Sequence, residues 1–442
     1  MPHGDRFESL DPAALVDVKR GLASRRIFVD EQVYRMEMER IFTRTWVLIG
    51  HESEVPAAGD YVTRTIGDDP VILIRGDDDV LRVFLNSCPH RGTMLCMADA
   101  GNAPAITCPY HGWAFDSSGH FRGAPIPSVF YKKEMPAEEL GLEPMAQVDT
   151  WAGLVFGCFD AEAAPLLDYL GDARWYLELA FGRTPGGMEV LGPPQRFVME
   201  QNWKIGALNF GGDGPHGPLL HGTAGQLTTG SAGAELMEAL MHSFAPGFSL
   251  GNGHAGLLTL APEDAAPWLG FDPALLPLYK ETLSSDQFDV LGRMMAYVFT
   301  VFPHMSVVQI PVGFNPDREP VSMCVLRTWQ PVGPEKTEVW NWFMVDSEAS
   351  PELKAETLKA CTRTFSVAGT FDQDDVEAWS GIRRGVRGTM SRRLPLRFQT
   401  INSTTEPLLT DFPGPGRAFR DSFTEIGEFD YLIEWRRYMD QA

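Results

Sequence analysis

Two short segments of the chain each contain one cysteine and one histidine. The segments NSCPHRG and CPYHGW place Cys88 near His90 and Cys108 near His111. Proline and glycine in both segments predict hairpin-like loops that can point all four side chains at one centre. Two thiolates and two imidazoles suit a two-iron, two-sulfur cluster in which histidines replace two cysteines on one iron. The spacing therefore predicts an electron-transferring cluster.

The same four side chains could instead bind a structural zinc ion, for which two cysteines and two histidines are a common ligand set. Zinc fingers usually have both cysteines in one pair and both histidines in the other, whereas each pair here is mixed. The single residue between Cys88 and His90 is also unusual for a finger. The iron–sulfur cluster is the favoured interpretation, and a zinc-stabilised binding module is the alternative.

A second pair of histidines follows in the segment NWKIGALNFGGDGPHGPLLH. His216 and His221 are five residues apart, so they would not share a face of an ideal helix. Gly217 and Pro218 lie between them and can distort a helix so that both rings reach one point. Two imidazoles and one carboxylate are the ligands of oxygen-activating ferrous enzymes. Spacing alone leaves open whether the pair is a metal site or a structural pair in a loop.

Together these segments resemble the large (alpha) subunits of Rieske non-haem iron aromatic-ring-hydroxylating dioxygenases, of the naphthalene and biphenyl dioxygenase kind. The resemblance rests on CPHRG and CPYHGW, then on NWK with the spacing Asp, two residues, His, four residues, His, and finally on FDQDD. Respiratory Rieske proteins usually add two cysteines in their loops, and Arg91 and Pro109 stand at those positions here. The oxygenase type is therefore the better match, and it covers most of the chain.

The resemblance implies ligands for two metal centres. The [2Fe-2S] cluster would be bound by Cys88, His90, Cys108 and His111. A mononuclear Fe(II) would be bound by His216, His221 and Asp375. Asp375 is the second aspartate of the pair in FDQDD, and Asp374 is the near alternative. A solvated acidic helix face is the plain structural interpretation of both.

Asp213 receives a separate, catalytic role from the resemblance. The matching aspartate of the family accepts hydrogen bonds from a histidine ligand of the mononuclear iron and from a cluster histidine of the neighbouring subunit. Asp213 is therefore expected to join His216 or His221 to the neighbouring cluster, through His90 or His111 of the partner subunit. Such a bridge implies a ring-shaped trimer. An aspartate without this role, in a glycine-rich turn, is the alternative.

Two residues near these histidines depart from the family pattern. Pro215 precedes the first histidine, where the family commonly has tyrosine, and Leu208 stands where it often has glutamate. The implied metal ligands are unaffected. The departures predict a local helix geometry and a hydrogen-bond network that differ from those of the family, and with them an altered substrate tolerance.

The resemblance also implies the reaction and the partners. Electrons from NAD(P)H would reach the cluster through a separate reductase, usually with a ferredoxin, and both atoms of O2 would be added to an aromatic ring to give a cis-dihydrodiol. The chain has no glycine-rich dinucleotide fingerprint after a strand, so we expect external electron donors. Family members of this length are often α3β3 assemblies with a small beta subunit, and an α3 homotrimer is the alternative.

Other functions are compatible with the same motifs. A Rieske monooxygenase or demethylase uses the same irons, and the motifs do not separate it from a dioxygenase. A chain with a degenerate second site would be an electron-transfer protein without an active mononuclear iron. The motifs leave the aromatic substrate and the regiochemistry open.

The substrate pocket is predicted from positions near the family motifs. The candidates are Asn209, Phe210, Leu220, His304, Val307 and Phe371. Several are apolar, which favours a hydrophobic arene, and core packing is the plain alternative for each. The loop over residues 222–233 consists of small residues close to the implied ligands, so it could be a mobile lid or an ordinary surface loop.

Strand-like and helix-like segments place the two centres in different domains. Strand-like runs separated by Gly-Asp turns predict a small antiparallel domain and span residues 61–66, 70–75 and 80–86. An amphipathic helix is predicted over residues 30–46. Three apolar runs predict an antiparallel meander in the second half, over residues 306–314, 321–329 and 337–345. A helix start is predicted at Ser350 and Pro351, before the segment that carries FDQDD.

We expect an α+β fold, with a small antiparallel β Rieske domain and a larger catalytic domain. The antiparallel sheet of the larger domain would be flanked by helices in a helix-grip, START-like arrangement. An N-terminal helical segment over residues 1–40 is expected to pack on the catalytic domain. The Rieske domain would span residues 41–165 and the catalytic domain residues 166–442.

Composition excludes several other classes of function. The net charge is −22, from 37 basic and 59 acidic residues, so binding to nucleic acid or to anionic membrane surfaces is disfavoured. No apolar run approaches the roughly 18 residues that span a bilayer, and the polar N-terminus has no signal region, which predicts a cytoplasmic protein. In a reducing compartment, the cysteines without neighbouring histidines are expected to be buried structural thiols: Cys96, Cys158, Cys324 and Cys361.

Overall fold

The computed structural model describes residues 11–125, 137–223, 243–313, 319–398, 408–420 and 422–441. Its chain divides into two compact units. The small unit is Phe42–Leu166, and the large unit consists of Met1–Ile41 with Leu167–Ala442. In the ranges described, none of the helices combines the length and the apolar character needed to cross a membrane.

The described strands and helices are numbered here in chain order. The strands are β1 (Val16–Asp17), β2 (Leu22–Ser24), β3 (Val47–His51), β4 (Asp60–Ile66), β5 (Asp69–Arg75), β6 (Leu81–Leu85), β7 (Ala100–Asn102), β8 (Ile106–Thr107), β9 (Ala114–Phe115), β10 (Phe121–Gly123), β11 (Gln147–Trp151), β12 (Leu154–Cys158), β13 (Met188–Val190), β14 (Gln195–Met199), β15 (Gly247–Ser249), β16 (Ala255–Leu260), β17 (Met294–Val301), β18 (Met305–Val312), β19 (Val321–Pro331), β20 (Thr337–Asp346), β21 (Pro395–Arg397) and β22 (Arg417–Phe419). The α-helices are α1 (Glu31–Glu37), α2 (Leu166–Leu170), α3 (Ala173–Phe181), α4 (Trp203–Phe210), α5 (His216–Leu220), α6 (Leu276–Thr282), α7 (Ser285–Arg293), α8 (Pro351–Thr364), α9 (Thr370–Val386) and α10 (Ile426–Asp440).

The small unit is built from short antiparallel sheets. The strand order β6-β5-β4-β7 forms one of them, and the predicted strands agree with β4, β5 and β6 to within one residue. Gly67, at a φ of +57°, makes the tight turn between β4 and β5 possible. The core of the unit contains both predicted ligand cysteines, packed with Ile72, Ile74, Phe84, Leu95, Cys96, Ile106, Trp113, Phe115, Phe121 and Leu142.

The large unit is organised around an antiparallel sheet. Among the described residues it has nine strands, eight of them in the order β13-β20-β19-β18-β17-β16-β15-β22, with β14 also paired to β20. Strands β18, β19 and β20 are the predicted meander, which is confirmed. Strands β17 and β18 form a hairpin, with Val298 paired to Val308 and Tyr297 to Gln309.

Helices cover both faces of this sheet, as expected for the α+β fold. On the face that carries Val298 and Val308, here called the near face, Thr300 Oγ1 donates to the carbonyl of Ala207 in α4, at 2.8 Å. On the opposite, far face, the Arg183 guanidinium just after α3 binds both carboxylate oxygens of Asp346 at 2.8 Å. Alternate residues of each strand therefore belong to two separate cores.

The N-terminal segment is tied to the large unit by a buried charge cluster. Glu37, at the end of α1, accepts hydrogen bonds from the indoles of Trp203 and Trp435, at 3.0 and 2.8 Å, and pairs with Lys204. Both ionic side chains are fully buried. Each needs the other, because an isolated buried charge is strongly unfavourable.

Two predicted helices differ in how well they match. The α8 helix starts as predicted, since Ser350 Oγ accepts from the backbone N–H of Leu353 at 3.1 Å and Pro351 is the first helical residue. The prediction of one helix over residues 30–46 is wrong at the C-terminal end. Its α-helical part ends at Glu37, and the chain continues as one π-helical turn over Met38–Phe42 before β3.

Candidate metal centres and substrate cavity

The two loops that carry the Cys/His pairs share one backbone design. In the first, the N–H of Cys88 donates to the carbonyl of Thr93 at 2.9 Å, and Gly92 N–H donates back to Cys88 O at 2.8 Å. In the second, Cys108 N–H donates to Trp113 O at 2.7 Å, and Gly112 N–H to Cys108 O at 3.0 Å. Each loop closes with a glycine in the left-handed region, at φ values of +74° and +69°.

This matching geometry brings the four predicted cluster side chains together. Both cysteines are 2% exposed. The rings of His90 and His111 lie 4.6 Å apart between centroids, and His90 stacks on Trp113 at 4.7 Å. The Nδ1 atom of His90 is buried and has no hydrogen-bond partner in the protein. Two adjacent thiols, two adjacent imidazoles and an unsatisfied imidazole nitrogen fit a mixed Cys/His cluster site.

The remaining cysteines behave as the sequence predicts. All are buried. Burial raises the thiol pKa of Cys96 and Cys158 to about 11 and that of Cys324 to about 12, and it also raises the pKa of Cys361 well above the ordinary value of a thiol. Protonated, buried thiols of this kind are inert packing groups.

Helix α4 positions the second candidate site. Asn202 caps it by accepting from Lys204 N–H at 3.1 Å. Gly206 lets the helix approach the sheet, because a Cβ there would lie 2.5 Å from the Trp329 ring. The helix ends at Phe210 with Gly211 as its C-terminal cap, and Gly212, at a φ of +129°, turns the chain toward Asp213.

The short helix α5 resolves the five-residue spacing of the histidines. His216 is its first residue, and His221 is its C-terminal cap with φ −91° and ψ 10°, outside the regular helix. The backbone carbonyl of Asp213 contacts His216 Nδ1 at 2.5 Å. The ring centroids of His216 and His221 lie 5.2 Å apart. A break after one turn therefore brings both imidazoles to one point.

Helix α9 supplies two aspartates to His221 in different ways. Asp375 is 1% exposed, and its Oδ1 lies 3.2 Å from His221 Nε2. Asp374 is partly exposed, and its Oδ2 lies 3.4 Å from His221 Nδ1. Burial opposes a charge on His221, but Asp375 and Asp374 raise its pKa above the ordinary value. Asp375 thus lies on the side of the ring that faces His216, and Asp374 on the back.

These three side chains form a group that could hold a metal ion. One ligand atom from each of His216, His221 and Asp375 lies within 4.8 Å of the others. The Nδ1 atoms of both histidines contact other aspartates, which leaves Nε2 of each ring for a metal. The donor set fits a ferrous ion with open coordination positions.

A buried ion pair lies beside this group. Arg327 Nη2 contacts both carboxylate oxygens of Asp372, at 2.9 and 3.0 Å, and the two side chains are at most 1% exposed. Burial raises the pKa of Asp372 to about 6, with Arg327 lowering it and Asp375 raising it. Nothing in the residues around FDQDD distinguishes Asp372 from the other aspartates as buried and paired with an arginine. The sequence therefore did not predict this ion pair.

Glu428 is a second residue that sequence reasoning missed. It lies in α10 and is 5% exposed. A Cβ placed on Gly212 would lie 3.8 Å from its Oε2, so the carboxyl group is close to the turn before Asp213. Burial and the nearby Asp213 raise its pKa well above the ordinary value. In the sequence, GEFDYLIEW alternates acids with apolar residues as a surface helix does, so no local signal marks this acid as buried.

An apolar cavity of about 190 Å³ extends from the histidines across the near face. Its floor is mainly one face of three neighbouring strands, with Leu257, Thr259, Ala296, Val298, Val308, Ile310 and Val312. Met295 and Pro311, near the ends of β17 and β18, also line it. Its other walls come from helices and loops and include Asn209, Phe210, Asp213, His216, His221, Phe365, Phe371 and Asp375. The candidate metal ligands and the apolar space therefore belong to one site.

The predicted pocket residues divide between this cavity and other places. Asn209, Phe210 and Phe371 line it, whereas Leu220, His304 and Val307 are not among its lining residues. Val307 points to the far face, because its neighbour Val308 points into the cavity and side chains alternate along a strand. His304 is in the turn that joins β17 to β18, whereas the cavity lies toward the opposite end of that hairpin.

Three further sequence expectations concern this region. Pro215 precedes α5, and its carbonyl accepts from Leu219 N–H at 3.4 Å, so proline is accommodated where the family commonly has tyrosine. Leu208, at the position where the family often has glutamate, is a buried residue of α4, with 7% of its surface exposed. The loop over residues 222–233, expected to be a mobile lid or an ordinary surface loop, lies outside the described residues from residue 224 onward.

Two family models match the chain, and each covers a different part of it. The Rieske [2Fe-2S] domain matches residues 45–135. The catalytic domain of the ring-hydroxylating alpha subunits matches residues 166–414, which is more than half of the chain.

Individual relatives agree with these matches. The biphenyl dioxygenase alpha subunit of Metapseudomonas furukawaii is 36% identical over 406 residues, covering 90% of this chain and 87% of its own. The N,N-dimethyl phenylurea N-demethylase alpha subunit of Sphingobium sp. strain YBL2 is 33% identical, covering 94% and 91%.

A solved structure extends the similarity to three dimensions. Naphthalene 1,2-dioxygenase from Rhodococcus sp., bound to indole, superimposes with a TM-score of 0.89 at 32% identity, covering 95% of this chain and 94% of its own. The chain therefore belongs to the alpha subunits of Rieske-type aromatic-ring-hydroxylating oxygenases, oxidoreductases that combine a [2Fe-2S] cluster with a mononuclear iron.

Proposed function

We propose that the chain is the terminal oxygenase component that converts a hydrophobic aromatic substrate to a cis-dihydrodiol, with O2 and electrons relayed from NAD(P)H. The observation that carries this proposal is the convergence of His216, His221 and Asp375 at the wall of an apolar cavity. A hydrophobic ring fits that cavity, and the candidate ligands border the space it would occupy.

Each candidate histidine ligand has a neighbour that can orient it. When bound, the cluster would supply electrons one at a time, and a ferrous ion at the three ligands would supply oxygen activation. The Asp213 carbonyl holds the His216 ring, and Asp374 approaches the Nδ1 of His221. Both contacts fix which imidazole nitrogen remains available as a ligand.

Asp213 is proposed to connect the chain to its neighbour. Its carboxylate lies 3.9 Å from His216 Nδ1, so the expected hydrogen bond from that ring to the carboxylate is not formed and the backbone carbonyl of Asp213 contacts the ring instead. The carboxylate accepts a hydrogen bond from Asn209 Nδ2 at 3.3 Å and is 36% exposed. An exposed carboxylate that is already oriented can accept a further hydrogen bond, which we assign to His90 or His111 of the partner subunit. The proposed assembly is a ring of three alpha chains, alone or with three small beta subunits. A reductase, with or without a ferredoxin, would be the electron donor.

The cavity is proposed to bind the arene mainly by excluding water. Its floor is aliphatic apart from Thr259, and Phe210, Phe365 and Phe371 offer ring edges and faces to an aromatic guest. Asn209 adds a polar group to the wall, because its Oδ1 is buried and has no hydrogen-bond partner in the protein. Such a lining orients a substrate by shape more than by charge.

A Rieske demethylase is the second candidate function. The observation that favours it is the 33% identity to the phenylurea N-demethylase alpha subunit over nearly the whole chain. That reaction incorporates one oxygen atom, and an aromatic substrate would still fit the cavity. The two candidates therefore differ in product and not in the ligand set.

Product analysis with 18O2 separates these candidates. The purified chain, supplied with NADH and the reductase and ferredoxin of a biphenyl dioxygenase, should convert biphenyl, naphthalene or benzene to a diol that carries two 18O atoms. N,N-Dimethyl phenylurea is included in the same panel. Formaldehyde release from the urea, with no diol from any arene, would reject dioxygenation in favour of demethylation.

Asp375→Ala should abolish turnover, because it removes the carboxylate of the proposed ligand set. Iron analysis should fall from about three to about two irons per chain, as expected for loss of the mononuclear ion with the cluster retained. The Rieske spectrum should be unchanged. Asp374→Ala is the comparison, and complete loss of the third iron there but not in Asp375→Ala would reverse the ligand assignment.

Asp213→Ala should keep all three irons but block electron flow between the proposed centres. In wild type, a reduced cluster should be reoxidised rapidly when substrate and O2 are added. In the variant that reoxidation should slow by at least about 100-fold, as expected when an essential connecting group is lost. Stopped-flow absorption of the cluster measures the rate, and a wild-type rate would rule out the bridge.

Val298→Ala should widen the cavity and shift its substrate preference toward larger arenes. Removing methyl groups from an apolar pocket changes discrimination by about tenfold or more, so kcat/KM for biphenyl relative to benzene should rise by about that factor. Val307→Ala is the matched control, because it removes the same atoms from the far face of the next strand. Equal changes in both variants would contradict the assignment of the near face as the substrate floor.

A further inference from the structure

The Arg327–Asp372 pair is buried beside the candidate iron site without belonging to it. Asp372 precedes Asp375 by three residues, so the two carboxylates lie on the same, buried face of α9. Asp372 is not part of the group that could hold a metal ion. Two neighbouring buried carboxylates repel each other, and a cation is needed to keep both ionised.

Arg327 is fixed on several sides. Its Nε donates to Asn341 Oδ1 at 2.8 Å, and Asn341 in turn donates to the carbonyl of Phe365 at 3.0 Å. The guanidinium carbon lies over the rings of Phe210 and Phe365, at 5.3 and 5.5 Å from their centroids. Both phenylalanines also line the cavity. The cation is therefore held by the same walls that form the substrate space.

We propose that Arg327 is a positioning residue for the iron site, acting through Asp372. By neutralising Asp372, Arg327 leaves Asp375 as the carboxylate whose negative charge is available to a metal ion. This inference rests on the proposed function, since it takes Asp375 as a ligand.

The chain contains a matched control pair on the far face of the same sheet. Arg183 and Asp346 are 3% and 5% exposed, their contact is bidentate, and Arg183 also binds the amide of Gln309 at 2.9 Å. Its guanidinium lies over the rings of Phe271 and Tyr279. Neither Arg183 nor Asp346 lines the cavity. Loss of the Arg183–Asp346 pair should lower the stability of the protein about as much as loss of the Arg327–Asp372 pair does. It should not change the charge at the iron site.

The experiment measures Fe(II) affinity of the mononuclear site. Each variant, with its Rieske cluster intact and its third iron removed, is dialysed anaerobically against a series of Fe(II) concentrations, and bound iron above two per chain is counted. Asp372→Asn leaves Arg327 unneutralised next to Asp375, so Kd should rise by about 10-fold or more. Asp346→Asn should leave Kd within about twofold of wild type. Thermal melting followed by circular dichroism reports the stability of each variant.

The double variant Arg327→Met/Asp372→Asn decides between charge compensation and simple loss of a contact. Because it removes both charges, it should recover most of the affinity that Asp372→Asn loses, even though it removes more contacts. No recovery would overturn the proposal, as would an equal loss of affinity in Asp346→Asn. If the double variant does not fold, the comparison of the two single asparagine variants still decides.

Asp375→Ala, measured in parallel, keeps this inference separate from the proposed function. If Asp375→Ala binds the third iron as wild type does, the ligand assignment itself is wrong, and the role of Arg327 fails with it. If Asp375→Ala loses the iron while Asp372→Asn binds it normally, the ligand assignment stands and only the role of Arg327 is rejected.

Discussion

Close packing of α4 against the near face of the sheet is the constraint on which the catalytic site depends. At Gly206 the helix backbone comes so near to the Trp329 ring that no side chain fits between them. Thr300 fastens the same helix to the sheet through the Ala207 carbonyl. The glycine turn that follows can then carry Asp213 and His216 over the end of the sheet, where α9 meets them with Asp375. A helix standing farther from the sheet would leave the histidines and the carboxylate apart.

The two candidate centres are built by the same physical means. In each, positive-φ glycines turn the backbone, Gly92 and Gly112 at the ends of the two cluster loops and Gly212 ahead of Asp213 and His216, so that nearby side chains in the sequence converge. Backbone hydrogen bonds close the loops around Cys88 and Cys108, whereas a single helical turn and its C-terminal cap separate His216 from His221. Both designs place ligands without long-range connections inside the site. The carboxylate of Asp375, which comes from a distant helix, is the exception.

The sequence could predict those features that local chemistry encodes. Mixed Cys/His pairs with fixed spacing, a cap such as Ser350 with Pro351, and alternating apolar strands all depend on neighbours in the chain. The role of Asp374 at the back of the His221 ring depends on the rotation of α9, which spacing does not give. Val307 was proposed for the pocket, but which of two adjacent valines faces the cavity is set by strand register. Arg327, Asp372 and Glu428 are buried only because distant elements cover them.

Alternation along β16, β17 and β18 also affects how such a protein can change over evolutionary time. Substitutions at every second position alter the floor of the cavity, while most positions between them belong to the separately packed core beneath, apart from Met295 and Pro311, which also line the cavity. A lineage can therefore drift toward larger or smaller guests through Ala296, Val298, Val308 and Ile310 while the far-face core stays as it is. Changes in substrate range and conservation of the scaffold therefore depend on different, alternating residues of the same strands.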